Sequence, residues 1–483
     1  MTYAVVPVAV AVLCIWLGRR LLTAVVIFAY LSIEGLLKLL SDYDRIVHVG
    51  IDLIVLAVAS AWILEAVVAR RAHLPRLPWT GLIMAYVAWI VLETLNPYSP
   101  GLLPSLAAFK THLTMIPLYF IGAAVVRSRR DVLLLFAALS AIALVPFVTA
   151  LAQYAAGPQS VLDLSPRFWQ NISFYHEWRP FGTSAVPGGA SVFAFLATPL
   201  ALLLLVAPDQ RPWVRWLAGL TVVLAAGTFI VSGVRQMILG CGLALLVTAA
   251  LLVTRGRSRG LVGVVFVGLV GAAAYAGVQA WLTPISTENV KKYAAAPDIW
   301  RERNVVDRLL TMTKTGTYFE ARQGAPAAIW YRVQRYPFGA GLGRTGSGAG
   351  AFMTVINADP RSASIEREVG WSDNFFADEI VEAGLPGVLI WTTILVGLTV
   401  GAVRLARRSR DPFTASAAAA IAGLFFTYFV ISWGSQPLLA NPTLAYFWLL
   451  AGVLAALRRM EAEAEPAAEA EAHLEAAAAA TEP

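Results

Sequence analysis

The sequence predicts an all-α integral membrane protein with about 12–13 transmembrane helices and one large polar loop. Three observations carry that expectation. Apolar runs of about 20 residues, the length that crosses a bilayer core, recur along the chain. Only 14% of the 483 residues are charged and 58% are hydrophobic, against about 25% and about 45–50% in soluble domains. The charge is also segregated, into short arginine clusters and one long segment at 283–376.

The apolar runs place helices near 4–18, 21–40, 46–69, 79–95, 105–126, 132–155, 188–207, 216–232, 236–254, 261–282, 377–402, 413–433 and 443–457. The first is short for a span and reads equally as interfacial. Residues 1–17 lack a basic start and a small-residue cleavage site, so no cleavable leader is expected. Basic clusters fall at 19–20, 70–71, 127–130, 211–215, 255–259, 404–410 and 458–459. They occupy alternate connections, as cytoplasmic loops do under the positive-inside rule. Loops 156–187, 232–236, 283–376 and 434–442 are then extracytoplasmic. The chain divides into helices over 1–282, the large loop 283–376, C-terminal helices over 377–457 and an Ala/Glu-rich tail at 458–483. From 461 the tail has no apolar face to bury and reads as a solvated cytoplasmic extension, part helical or disordered. The net charge of +7 reports this topology rather than a nucleic-acid partner. Cys14 and Cys241 lie in apolar runs, which argues against a disulfide framework or a thiolate metal site.

Charges also occur within or near the spans. Glu34 and Lys38 are four apart and can pair on one helix face. Asp52, Glu93, Lys110 and His112 are scattered without ion-ligand spacing, and structural pairing is the simpler reading of them.

The loop 283–376 holds nine arginines, three lysines and nine acidic residues, and such charge must face water. Within it, 326–336 reads as a helix, begun by Pro326 and ended by Pro337. Arg332 and Arg335 are three apart there and so placed to grip a diphosphate together, with the forked guanidinium suiting phosphate oxygens. The run Gly339-Ala340-Gly341-Leu342-Gly343 follows a helix rather than a strand, so a tight turn against the membrane is expected, not a nucleotide site. Two further arginines stand beside spans: Arg179 in Glu177-Trp178-Arg179-Pro180-Phe181-Gly182-Thr183, and Arg235 in the short turn Ser232-Gly233-Val234-Arg235. Each either snorkels toward lipid phosphate or joins a site with the others. Asp373-Asn374, followed by Glu382-Ala383-Gly384-Leu385-Pro386-Gly387, puts a carboxylate at the loop-to-membrane boundary. Asp373 is there a general base, a helix cap or a partner for an arginine. Asp42-Tyr43-Asp44 is a weak candidate for a divalent metal.

Taken in order, Arg-Pro-Phe-Gly-Thr before a helix, Ser-Gly-Val-Arg, the paired arginines with Pro-Phe-Gly-Ala-Gly-Leu-Gly, and Asp-Asn followed after seven intervening residues by Glu-x-Gly-Leu-Pro-Gly resemble the O-antigen ligase/polymerase superfamily over about residues 130–433. The resemblance implies a glycosyltransferase of the C-type fold in the bacterial inner membrane, with a helical periplasmic loop. It implies transfer of a glycan from an undecaprenyl-diphosphate carrier to a glycan or lipid acceptor, as in lipopolysaccharide and cell-envelope polysaccharide biosynthesis. Partners in chain-length control or export belong to that setting. Arg179, Arg235, Arg332 and Arg335, with Arg322 in reserve, then hold the diphosphate, with no metal and no other cofactor. Asp373 stands where related ligases carry a histidine and becomes the nominee for the base, with Arg235 and Arg335 beside it in catalysis and Asn374 and Glu382 supporting. That difference favours a polymerase over a ligase acting on lipid A–core. A lipid-linked glycan transporter, a metal-dependent transferase using Asp42 and Asp44, and a non-catalytic assembly subunit are the other readings.

Overall fold

The computed structural model describes residues 2–42, 44–68, 77–165, 168, 178–207, 210–253, 324–345 and 374–479. The expected helix at 261–282, Glu177, Arg322 and Asp373 lie outside them. Every regular element among the described residues is helical. The helices are α1 (Thr2–Trp16), α2 (Arg20–Leu40), α3 (Arg45–His48), α4 (Gly50–Val68), α5 (Thr80–Thr94), α6 (Leu102–Leu113), α7 (Pro117–Val125) and α8 (Arg129–Ala156). They continue with α9 (Gln159–Leu162), α10 (Ala190–Val206), α11 (Pro212–Ser232), α12 (Arg235–Val253), α13 (Gly324–Arg335), α14 (Phe375–Arg408), α15 (Pro412–Ile431) and α16 (Thr443–Ala479).

Among the described residues eight helices are long and apolar enough to cross a membrane, with α6 and α7 counted as one. This is an all-α, multi-pass membrane protein. The sequence reading of twelve to thirteen spans exceeds eight partly because Val6–Trp16, α5 and α10 are apolar but shorter than 18 residues. The expected continuous helix over 105–126 is divided at Thr114–Ile116, where Pro117 starts α7. The tail, read as part helical or disordered, is helical to Ala479 and continues α16, as the high helix propensity of Ala and Glu favours.

Local chemistry sets the boundaries. Ser128 and Asp131 form a reciprocal capping box that starts α8. Pro212 opens α11, and Gly233, left-handed at φ 59°, closes it. Asp411 caps α15 through the amides of Phe413 and Thr414. Helices apolar on every side take the centre. From Leu444 to Leu457 the side chains of α16 are almost wholly buried, whereas α1, α4, α11 and α14 present Leu13, Ile63, Val223 and Leu389 outward. Trp391, Phe447 and Trp448 form an aromatic centre with ring centroids 5.1–5.5 Å apart. Gly122 and Gly452 let α7 and α16 approach backbone to backbone, since a Cβ on Gly452 would meet Tyr119 O at 2.1 Å.

Among the described residues, arginines of several clusters lie at one end of the bundle. Arg20 pairs with Glu65 at 3.0 Å, Arg459 donates to Val126 O at 2.9 Å, and Arg129 lies over the Phe413 ring. The connections 178–190, 232–236, 336–345 and 432–442 meet at the other end.

Candidate functional site

At that second end the two arginine turns lie side by side. Gln153 on α8 clamps Gly182 by donating to its carbonyl at 2.9 Å and accepting its amide at 2.8 Å. Thr183 donates its hydroxyl to Ser32 O, and its carbonyl accepts from Leu36 N at 2.8 Å. Gly188 then packs between the arms. A Cβ there would stand 2.6 Å from Val234 Cγ2, 3.3 Å from Arg179 Cδ and 3.4 Å from Ser232 O. Arg179 and the turn that carries Arg235 are therefore neighbours, and both side chains are half-buried. Next to Arg235, Gln236 donates to Ile431 O at 2.9 Å and to Ser435 Oγ at 2.8 Å, which ties this turn to the α15–α16 connection.

α13 covers the expected helix but begins at Gly324, two residues before Pro326, and stops at Arg335 ahead of Pro337. Its two arginines differ in environment. Arg332 is 5% exposed and Arg335 is exposed, so the pair does not present one common solvent face as the spacing suggested. Burial pushes the Arg332 guanidinium below its ordinary value, and the Asp378 carboxylate opposes that shift.

The glycine run is a tight turn laid onto the bundle. Ala340 N donates to Val381 O at 2.7 Å and Leu385 N to Pro337 O at 2.9 Å, while Ser105 Oγ donates to Leu342 O at 3.0 Å. The approach requires α14 to break at Gly384, where φ is 67° and a Cβ would sit 2.4 Å from Gly339 N.

The nine residues of α14 before that break are all buried, and three of them are acids. Gln436 donates its amide to Asp378 Oδ2. Tyr86 donates to Glu379 Oε1 at 3.0 Å and lies 2.7 Å from His112 Nδ1. His112 Nε2 is 3.0 Å from Glu382 Oε2, while Glu382 Oε1 accepts the amides of Gly343 at 3.2 Å and Thr345 at 3.1 Å. Glu382, expected in a supporting role, thus joins the turn to a histidine 270 positions earlier. Glu379 Oε2 lies 3.5 Å from Nδ1, too far for a good hydrogen bond. An isolated ion here would be strongly disfavoured, which is why the carboxylates and the imidazole are gathered together.

Other sequence candidates also have definite places. Asn374 caps α14, accepting from Ala377 N at 3.1 Å, and donates to Trp433 O at 3.1 Å. The capping role weighed for Asp373 therefore belongs to its neighbour. Glu34 pairs with Lys38 at 2.8 Å and Asp52 with Lys110 at 2.6 Å, as structural pairing requires. Asp44 caps α3 through Ile46 N at 2.8 Å. Sequence reasoning passed over Tyr86, Asp378, Glu379 and Gln436. Three acids in the first turns of an apolar helix were a visible signal for two of them.

Contacts thus run from Arg179 through Gly188 to the Arg235 turn, on to Gln236 and the α15–α16 connection, and through Gln436 to Asp378, whose charge acts on Arg332. The segments that carry these arginines lie at the same end of the bundle as the buried acid–histidine cluster, and arginines held together there would suit an anion. No protein-family model matches the chain, and no curated protein matches it either.

Proposed function

We propose that this chain is a membrane glycosyltransferase that moves a glycan from an undecaprenyl-diphosphate carrier to an acceptor glycan or lipid at the periplasmic face of a bacterial inner membrane, with repeat-unit polymerisation as its reaction. The observation that carries the reading is that packing sets Arg179 beside the Arg235 turn and ties that turn, through the α15–α16 connection, to Asp378, whose charge acts on Arg332, at the end opposite Arg20, Arg129 and Arg459. The order of the sequence motifs supports it independently.

In this reaction the acceptor hydroxyl oxygen bonds to the anomeric carbon as the bond from that carbon to the diphosphate oxygen breaks. Negative charge grows on the departing diphosphate. Arginines fixed beforehand in a water-poor site stabilise that charge, each by about 3–4 kcal/mol where it replaces solvent. Asp373 takes the hydroxyl proton. The polyprenyl tail stays in hydrocarbon against the outer helices, since an isoprenoid is excluded from water.

The test incubates purified full-length protein with lipid-linked repeat units, with and without a lipid A–core acceptor, and sizes the products. A ladder from the single donor is expected. One addition to the core acceptor would make the protein a ligase. Unreacted donor moved across a sealed bilayer would make it a transporter.

A further inference from the structure

The end opposite the candidate site carries a second built feature. Trp79, just before α5, has a left-handed backbone at φ 64°, unusual for a bulky residue. Its indole lies against α14 at two glycines: a Cβ on Gly397 would meet it at 3.1 Å and one on Gly401 at 2.6 Å. The Arg458 guanidinium of α16 sits 5.1 Å from the centroid of the same ring. Beside them opens a cleft of about 370 Å³, rimmed by Arg404, Arg408 and Arg458. Among the described residues no carboxylate lies within ion-pairing distance of these three arginines. On α14 the exposed residues Leu389, Val396 and Val400 lead along one helix face to Arg404.

We propose that this cleft binds an anionic glycerophospholipid. Arg404, Arg408 and Arg458 hold the headgroup phosphate, the Trp79 indole supports the glycerol region, and one acyl chain runs along Val400 and Val396. Charge complementarity selects the headgroup, because three guanidinium groups with no carboxylate partner among the described residues favour a net negative lipid over a zwitterionic one. The apolar stripe selects a lipid over a soluble phosphate, which would leave that face unused. An indole at the membrane interface, apolar in body and polar at its N–H, suits the boundary between the two. The site is independent of the transfer chemistry proposed for the opposite end.

Native mass spectrometry of the full chain, equilibrated with equimolar phosphatidylglycerol and phosphatidylcholine in mixed micelles, tests the proposal. Wild type should retain phosphatidylglycerol preferentially. The triple variant Arg404→Gln/Arg408→Gln/Arg458→Gln should lose about tenfold or more of that preference. Val400→Trp, which fills the cleft without changing charge, should lower it too and serves alone if the triple variant does not fold. Arg127→Gln/Arg130→Gln, at the same end of the bundle, should keep it. Equal retention of the two lipids by wild type would overturn the proposal. So would equal losses in the Arg127/Arg130 control and the triple variant, undiminished preference in Val400→Trp, or displacement of the lipid by millimolar inorganic phosphate.

Discussion

His112 stands between two carboxylates and a phenol, with its side chain fully buried, so its removal strands buried polar groups. Breaking such a pair costs about 3–5 kcal/mol. His112→Ala should therefore lower the thermal unfolding midpoint in detergent far more than a typical surface change. Glu382→Ala should in addition free the amides of Gly343 and Thr345. Tryptic cleavage at Arg344 should then become faster than in wild type, and an unchanged cleavage rate would mean that Glu382 does not hold the turn. The two arginines of α13 separate structure from chemistry. Arg335→Ala, at an exposed position, should leave stability within about 0.5 kcal/mol while sharply reducing transfer. Arg332→Ala should lower both. Wild-type transfer by Arg335→Ala would leave that side chain as a lipid-facing cation only.

Among the elements, α14 and α15 carry the sharpest expectations. The break at Gly384 lets 336–345 dock, and alanine there meets both a left-handed backbone and the Gly339 amide. The backbone penalty alone is about 1–2 kcal/mol. Gly384→Ala should expose Arg344 to trypsin as Glu382→Ala does, while Gly219→Ala on α11, with open space at its Cβ, should not. At the other end Asp411 caps α15. Burial alone would push its carboxyl up, but the Thr414 amide and hydroxyl and the Phe413 amide hold it below its ordinary value of 3.8. A carboxylate depressed on folding stabilises the protein fully above its unfolded value, and that contribution fades as pH falls through the folded one. Wild type should lose the increment, about 1 kcal/mol for a cap, as pH is lowered below about 4. Asp411→Asn should lack this step, and identical acid profiles for the two proteins would remove the cap from the account.

For the whole molecule, the separation of arginine clusters from the acid–histidine end sets an orientation. Under the positive-inside rule the end that holds Arg20, Arg129 and Arg459 is expected to face the cytoplasm. A cysteine at position 344, in a background lacking Cys14 and Cys241, should react with an impermeant maleimide in intact spheroplasts. One at position 128 should react only after the membrane is breached. The reverse pattern would turn the molecule over and place the candidate site in the cytoplasm.

The membrane class, the positions of most spans and the stop of α13 before Pro337 were legible in the sequence alone. Each depends on local quantities: apolar run length, charge between runs, and prolines that start or stop helices. Glu34 with Lys38 was legible for the same reason, since helical spacing makes them neighbours. The different surroundings of Arg332 and Arg335 were not, because spacing sets direction from a helix axis but not what the helix lies against. Structural pairing was the expectation for His112, but the sequence could not name its acidic partners because they are 267 and 270 positions away. Only the packing of α5, α6 and α14 brings Tyr86, His112, Glu379 and Glu382 together, where exclusion of water makes each polar group require the others.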